Sequence, residues 1–170
     1  MRPIESVNES EVTRDEFAEA LRPLFEAAEP LAEALYAARP FVSYDELIDS
    51  AESLATRMSF EDQVAVLAAH PRIGAPPATV SALSYKEQGY ASEAAADAEI
   101  QRVYAELDRL NREYEERFGF RFVVFVNRRP KSEIVGVLNE RLRNPRKEEL
   151  ATSLREMFRI ARDRLWSLTN

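Results

Sequence analysis

The 170-residue chain contains no cysteine, a single histidine and only four glycines. Without cysteine it has no disulfide framework, no thiolate metal cluster and no cysteine nucleophile. One histidine also excludes a metal site built from histidines alone. The formal net charge of -7 argues against a nucleic-acid surface or a polybasic membrane-binding surface. No apolar run is long enough to span a bilayer, so we expect small-molecule or protein partners, and neither nucleic acid nor membrane.

The chain is long enough to bury one sizeable core, and one domain over residues 1–170 is the default expectation. The N-terminal stretch lacks the apolar core of a signal peptide. The last four residues read Ser-Leu-Thr-Asn, which is not the peroxisomal tripeptide. These features together predict a cytoplasmic protein.

Glycine is absent from residues 1–73 and 137–170, which favours helix at both ends of the chain. Four serine or threonine residues precede an acidic residue by three positions, which is typical of a helix N-terminal cap. These pairs are Thr13 with Glu16, Ser43 with Glu46, Ser59 with Asp62, and Ser84 with Glu87. The pattern predicts helices near 13–28, 30–38, 44–57 and 60–69, a long amphipathic helix ending near 118, and helices near 131–143 and 146–168.

The segment FRFVVFVNRRP at 120–130 has the aromatic and β-branched composition of a strand. No second run of this kind exists to pair with it, and an unpaired buried strand would leave backbone groups unsatisfied. We therefore predict either a buried helix or irregular buried backbone for these residues.

The only histidine lies in AAHPRIG, residues 68–74, where a predicted helix ends. Pro71 biases His70 out of the helical region, so its ring should project at the helix end. The ordinary explanation is a helix-end imidazole that interacts with the helix dipole. The functional alternative is a general acid or base, because an unperturbed histidine has a pKa of about 6.5.

Two other groups of residues could contribute to a site. Ser84-Tyr85-Lys86-Glu87-Gln88 combines a hydroxyl, a carboxylate and an amide, although capping alone would explain Ser84 and Glu87. In the last predicted helix, Arg164 falls within the apolar stripe. It should therefore meet a carboxylate of the protein or of a ligand, unless it extends along its stem to the surface. Arg141 is a second inward-pointing arginine with the same alternatives.

Five motifs occur in order along the chain, and together they resemble the family of 2-oxo-4-hydroxy-4-carboxy-5-ureidoimidazoline (OHCU) decarboxylases of urate breakdown. The motifs are His70-Pro71-Arg72-Ile73-Gly74, Ser84-x-x-Glu87-Gln88, Leu110-Asn111-x-x-Tyr114-x-x-Arg117-Phe118-Gly119-Phe120-x-Phe122-Val123-Val124, Leu138-x-x-Arg141-Leu142-x-Asn144 and Arg159-Ile160-Ala161-x-x-Arg164-Leu165. The resemblance covers roughly residues 13–168. It implies an all-α, single-domain bundle of about seven to nine helices.

The resemblance also implies a cofactor-free, commonly homodimeric enzyme that converts OHCU to (S)-allantoin and CO2. His70 then corresponds to the catalytic histidine and Glu87 to its carboxylate partner. The substrate-binding residues implied are Pro71, Ser84, Tyr85, Lys86, Gln88, Phe122, Val123, Val124, Phe125, Val126 and Arg164. No metal ligand is expected.

Two alternatives to this function stay open from the sequence. An enzyme of the same fold acting on a related ureido or hydantoin compound would keep His70 and Glu87 and differ around Arg72 and Phe125. A helical interaction protein without activity would have been favoured by the loss of His70 or Glu87, and both are present.

Overall fold

The computed structural model describes residues 1–76, 79–89 and 98–170. Within these ranges the chain forms nine α-helices and no β-strand, which confirms the predicted all-α fold. In chain order the helices are α1 (Ile4–Asn8), α2 (Arg14–Phe25), α3 (Glu29–Ala38), α4 (Tyr44–Ala55), α5 (Phe60–Ala68), α6 (Ala82–Glu87), α7 (Ala98–Phe118), α8 (Lys131–Arg141) and α9 (Arg146–Thr169). No helix in the described ranges is long and apolar enough to cross a membrane.

The chain divides into two compact units. The first unit consists of Met1–His70 and Leu154–Asn170, and the second of Pro71–Ser153. Helix α9 therefore contributes its first residues to the second unit and its remainder to the first. That the whole chain is a single domain stays a prediction.

Three of the four predicted caps are present in the first unit. The hydroxyls of Thr13, Ser43 and Ser59 each accept a hydrogen bond from the backbone N–H three residues later. Each bond satisfies one of the amides that a helix start leaves without a partner. Helix α2 ends three residues earlier than predicted, because Glu26 adopts a left-handed backbone conformation with φ 56°.

The core of the first unit is built from apolar side chains of α2, α3, α4, α5 and α9. Helix α3 packs against α2, α4 and α5 and is therefore central among these four helices. The most deeply buried members of this core are Phe17, Leu21, Leu24, Leu31, Leu35, Leu47, Ile48, Val66, Leu67, Met157, Phe158 and Ala161. Burial of each large side chain stabilises the fold by roughly 1.5–3 kcal/mol.

The second unit is organised around α7, which packs against α8. Helix α7 buries Leu107, Leu110, Tyr114 and Phe118, a spacing of three and four residues that places them on one face. The Tyr114 ring lies 4.7 Å from the Phe118 ring and 5.1 Å from the Phe122 ring, measured between centroids. Residues 119–130 follow as irregular and largely buried backbone. Of the two conformations predicted for this segment, the irregular one is correct.

Candidate active site

His70 is the last residue of the first unit and lies just beyond the end of α5. Ser59 caps this helix at its start, and Ala69 forms its C-cap. The backbone N–H of His70 donates to the carbonyl of Leu67 at 3.2 Å, so the chain is still helically bonded as it reaches the histidine. The residue is only 3% exposed. The structure thus confirms a histidine at a helix end and adds that it is buried.

The second unit begins at Pro71 and continues into a tight turn over Arg72 to Ala75, in which the Ala75 N–H donates to the Arg72 carbonyl at 3.1 Å. Gly74 has φ +78°, and an added Cβ would lie 3.2 Å from Leu107 Cδ1, so both conformation and space favour glycine. Gln88 holds this turn through its side-chain amide. Its Oε1 accepts from the Gly74 N–H at 2.9 Å, and its Nε2 donates to the Arg72 carbonyl at 3.4 Å. Gln88 therefore has a clear structural role, while its predicted contact with substrate stays a prediction.

Helix α6 corrects one prediction. The residue that caps it is Ser81, whose hydroxyl accepts from the Ser84 N–H at 3.2 Å. Ser84 lies inside the helix and is 3% exposed, so the interpretation of Ser84 and Glu87 as a cap is wrong. The helix begins one turn earlier because this register lets Ser84 and Gln88, four residues apart, share the buried face. Capping no longer explains why a serine and a glutamate stand at these positions.

The other members of this helix differ in exposure. Glu87 is the last helical residue and is half-buried. Tyr85 and Lys86 are exposed, with 37% of the tyrosine accessible. Their predicted substrate contacts stay predictions.

The irregular segment 122–126 has its carbonyl oxygens bound by arginines. Arg141 Nη1 donates to the carbonyl of Val123 at 2.7 Å. Arg129 donates from Nη2 to the carbonyl of Phe125 at 2.7 Å and from Nε to that of Val126 at 3.0 Å. Arginine side chains thus donate to backbone carbonyls that a neighbouring strand would bind in a β-sheet.

The amides of the same segment behave differently. Within the described ranges, the backbone N–H groups of Phe122, Val123, Val124 and Val126 donate no hydrogen bond. All four residues are at most 7% exposed. Because buried backbone amides are nearly always paired with protein, water or ligand, this stretch is suited to bind an acceptor such as a carbonyl oxygen.

Two consecutive left-handed residues end the segment. Asn127 has φ 49° and Arg128 has φ 59°. Asparagine tolerates this conformation, whereas for arginine it is unusual. The turn brings the Arg129 N–H to 3.1 Å from the Val126 carbonyl, and the Arg129 side chain then reaches back along the segment.

Arg141 is the centre of a buried polar network in the second unit. Its guanidinium pairs with the fully buried carboxylate of Glu149 and donates to Ser153 Oγ at 2.8 Å. The Tyr114 hydroxyl donates to Glu149 Oε1 at 2.5 Å, and burial raises the pKa of that hydroxyl well above its usual value. The guanidinium also lies 4.5 Å above the Phe122 ring. The alternative in which Arg141 extends to the surface is therefore wrong.

Arg164 belongs to the first unit and is 2% exposed. Its Nη2 donates to Glu26 Oε1 at 2.8 Å. The expectation that an inward arginine meets a carboxylate is confirmed, and the partner recorded is a protein carboxylate. Glu26 is also the residue with positive φ that ends α2, so the residue that terminates this helix is the one that pairs with Arg164. A contact of Arg164 with substrate stays a prediction.

A cavity of about 740 Å³ lies within the second unit, between residues 71–76 and α7. Its wall includes Arg72 and Arg121. Arg72 Nε donates to Glu115 Oε1 at 2.8 Å. Burial alone would raise the pKa of Glu115, but hydrogen bonding and charge from Arg72, with Arg121 adding to both, hold it below its usual range.

Two buried side chains support the site although the sequence motifs assign them no role: Asn111 lies within one of the motifs, and Lys131 lies in none of them. Asn111, buried on α7, donates from Nδ2 to the Ile73 carbonyl at 3.0 Å and so supports the 72–75 turn. Lys131, the first residue of α8, is 4% exposed and donates from Nζ to the Gln88 carbonyl at 2.5 Å. A lysine at the start of a helix carries no periodic signal of burial, so the pattern alone could not identify it.

No group of three or more histidine, aspartate or glutamate side chains in the described ranges is placed to hold a metal ion.

Comparison with known proteins identifies the family. The family model for OHCU decarboxylase matches residues 10–166. The chain is 33% identical over 151 residues to the 2-oxo-4-hydroxy-4-carboxy-5-ureidoimidazoline decarboxylase of Haloferax volcanii, covering 89% of this chain and 88% of that protein. The chain belongs to the OHCU decarboxylase family, and a decarboxylase is by class a carboxy-lyase.

Two further similarities place the chain among longer and solved relatives. It is 34% identical over 147 residues to the uric acid degradation bifunctional protein PucL of Bacillus subtilis, covering 86% of this chain but only 29% of PucL. A crystal structure of OHCU decarboxylase in the presence of (S)-allantoin matches with a TM-score of 0.68 and 22% identity, over 88% of this chain and 96% of that one. This structural match supports the all-α fold.

Proposed function

We propose that this protein decarboxylates OHCU to (S)-allantoin and CO2 in urate degradation, without a cofactor. The observation that carries the proposal is that the only histidine of the chain is buried at the end of α5, inside a family match that spans residues 10–166. We further propose, from the family resemblance, that the protein is a cytoplasmic homodimer.

The reaction needs an acceptor for the electron pair that the departing CO2 leaves behind. In OHCU the carbon that carries the carboxylate adjoins a ring C=N bond. When the bond to the carboxylate breaks, its electron pair forms a C=C bond and the C=N pair moves to nitrogen, which takes a proton. The resulting enol loses its hydroxyl proton and gains a proton at the carbon bearing the ureido group. The product is allantoin, and the face of that last protonation sets its chirality.

His70 and Glu87 are the proposed acid and base groups. Neutral His70, oriented by Glu87, accepts a hydrogen bond or a proton from the substrate hydroxyl, and the same pair is a candidate donor to carbon. A positioned acid or base of this kind contributes about 10²–10⁴-fold to a rate. His70 is buried just beyond the end of α5, and Glu87 is half-buried as the last residue of α6.

The remaining groups are proposed to bind and orient the substrate. The amides of Phe122, Val123, Val124 and Val126 suit its ring and ureido carbonyls, because these oxygens accept hydrogen bonds and the four amides are donors. Pro71 and Gln88 directly follow His70 and Glu87 in the chain, and Ser84 and Gln88 lie on the buried face of α6. Arg164 is proposed to orient an anionic or carbonyl group of the substrate.

The test uses product chirality, because OHCU also decays spontaneously to racemic allantoin. Freshly generated OHCU is mixed with wild-type protein, His70→Gln or the exposed control variant Lys147→Gln, and the optical activity of the allantoin is followed. Wild type and the control should give (S)-allantoin, and His70→Gln should give racemic product at the spontaneous rate. Circular dichroism of the variant should show an intact fold. An enantiomeric excess that survives in folded His70→Gln would remove His70 from the mechanism.

A further inference from the structure

Lys131 is unusual among the three lysines of the chain. Lys86 and Lys147 are exposed, whereas Lys131 is 4% exposed. An ammonium group is costly to remove from water unless strong hydrogen bonds or charges compensate it. The position of this lysine therefore depends on specific contacts that it makes inside the second unit.

The contacts of Lys131 lead to α6. Its Nζ donates to the main-chain carbonyl of Gln88 at 2.5 Å, a charge-assisted hydrogen bond. The same ammonium lies 5.2 Å from the centre of the Tyr104 ring, within the range of a cation–π interaction. Gln88 is the C-cap of α6 and directly follows Glu87. The lysine thus fixes the main chain at the end of the helix that carries the proposed catalytic carboxylate.

Gln88 extends this connection to a second part of the site. While Lys131 binds its main-chain carbonyl, its side-chain amide binds the Arg72 carbonyl and the Gly74 N–H. The end of α6 is consequently held on one side by α8 and on the other by the turn that follows His70 in the chain. A shift of Gln88 would disturb Glu87 and this turn together.

We propose that Lys131 is a positioning residue for the decarboxylation, acting through the main chain of Gln88 rather than by touching substrate. This inference rests on the proposed function. The ammonium holds the end of α6 so that the Glu87 carboxylate keeps one orientation. Since a misplacement of about 1 Å can cost about 10²-fold in rate, loss of this contact acts on the chemical step more than on substrate binding.

The experiment compares Lys131→Met, which keeps length but removes charge and donor, with Lys131→Arg, which restores both, and with the exposed control Lys147→Met. Initial rates on fresh OHCU and the chirality of allantoin are measured at a temperature where circular dichroism shows each variant folded. We expect Lys131→Met to lower kcat at least tenfold with KM changed less than threefold. Lys131→Arg should recover part of kcat, and Lys147→Met should match wild type.

The outcomes separate this inference from the proposed function. If wild type gives no chiral excess, the proposed function fails. If wild type is active and folded Lys131→Met keeps its kcat, or loses only substrate affinity, Lys131 is not a positioning residue. Should Lys131→Met fail to fold, Lys131→Gln, which retains a neutral donor, replaces it. A wild-type kcat in that folded variant overturns the inference, and a reduced kcat at unchanged KM supports it.

Discussion

The two units of this chain differ in their glycine content and in the number of polar side chains that they bury. The first unit contains no glycine, and its described residues bury only three polar side chains. The second contains all four glycines and buries seven polar side chains among its described residues. The buried polar side chains of the first unit are Gln63, His70 and Arg164. The buried polar side chains of the second unit are Ser84, Gln88, Asn111, Lys131, Arg141, Glu149 and Ser153.

The difference shows how each unit satisfies its backbone. Capped helices with an apolar face bond their own backbone internally, so the first unit needs little more than packing. The second unit contains a turn at Gly74 and the irregular stretch 122–126, where no helix ladder operates. Polar and basic side chains bind the backbone there instead. Stability of the second unit should accordingly depend on single polar contacts.

The largest expected effect is at the Arg141–Glu149 pair. Replacement of Arg141 by Met leaves Glu149 buried without its cation and removes the donor to the Val123 carbonyl. Breaking a buried pair in this way typically costs about 3–5 kcal/mol. Urea unfolding followed by circular dichroism measures the loss in the free energy of unfolding.

Two reference variants sharpen this comparison. The double replacement Arg141→Met with Glu149→Leu should recover a large part of the loss, because no uncompensated charge then stays buried. In the first unit Leu35→Ala should cost about 2–5 kcal/mol through the cavity it leaves. A loss below about 1 kcal/mol for Arg141→Met would contradict the dependence on polar contacts proposed for the second unit.

A smaller effect is expected at two glycines of the second unit. Gly119 follows α7 with φ +79°, so Gly119→Ala should destabilise by about 1–2 kcal/mol through backbone strain. Gly136 lies inside α8, and nothing lies within 4 Å of a Cβ added there. Gly136→Ala should therefore stabilise by roughly 0.5–1 kcal/mol. Thermal unfolding of the two variants should shift in opposite directions, and equal shifts would mean that the left-handed turn carries no strain.

The smallest effect concerns Glu115, which pairs with Arg72 beside the cavity. The pKa of Glu115 is lowered in the folded protein. The stabilisation from its charged form is therefore present at pH values above the unfolded-state pKa and is lost as pH falls through the folded-state pKa. Because both side chains are partly exposed, Glu115→Gln should cost less than about 1 kcal/mol at pH 7. The difference from wild type should shrink as pH falls below the ordinary glutamate pKa of 4.5 and vanish below the lowered pKa of the folded state.

A pair in the first unit serves as the control for this variant. Arg14 and Glu33 are also paired, but their side chains are 71% and 68% exposed. Glu33→Gln should leave the stability at pH 7 unchanged within error, because solvent screens the pair. A loss at Glu33 equal to that at Glu115 would mean that burial beside the cavity adds nothing.

Local signals in the sequence predicted most of the first unit. The caps at Thr13, Ser43 and Ser59 depend on atoms three residues apart, so the sequence contains all the information they need. The position of Arg164 in an apolar stripe predicts that its partner is a carboxylate. That this partner is Glu26 was not predicted, because 138 residues separate the two.

The second unit was harder to predict for a physical reason. Ser84 precedes an acidic residue by three positions and Ser81 does not, yet Ser81 caps α6 because Ser84 lies on the buried face of that helix. The irregular conformation of 122–126 was one of two predicted alternatives. What stabilises it comes from Arg129 and Arg141, and the contact of Arg141 with Val123 spans 18 residues. Contacts of this kind leave no periodic signal.

The arrangement of arginines along 122–126 has a consequence for selectivity. Its carbonyl oxygens at Val123, Phe125 and Val126 already accept hydrogen bonds, whereas four of its amides donate none within the described ranges, so the segment offers more unpaired donors than unpaired acceptors. If the segment binds substrate as proposed, it discriminates by hydrogen-bond polarity as well as by shape. A lactam or urea oxygen complements it, whereas an amidine or amino group of the same size would set one N–H against another. Such a mismatch leaves buried donors unpaired, which costs about 1–3 kcal/mol for each.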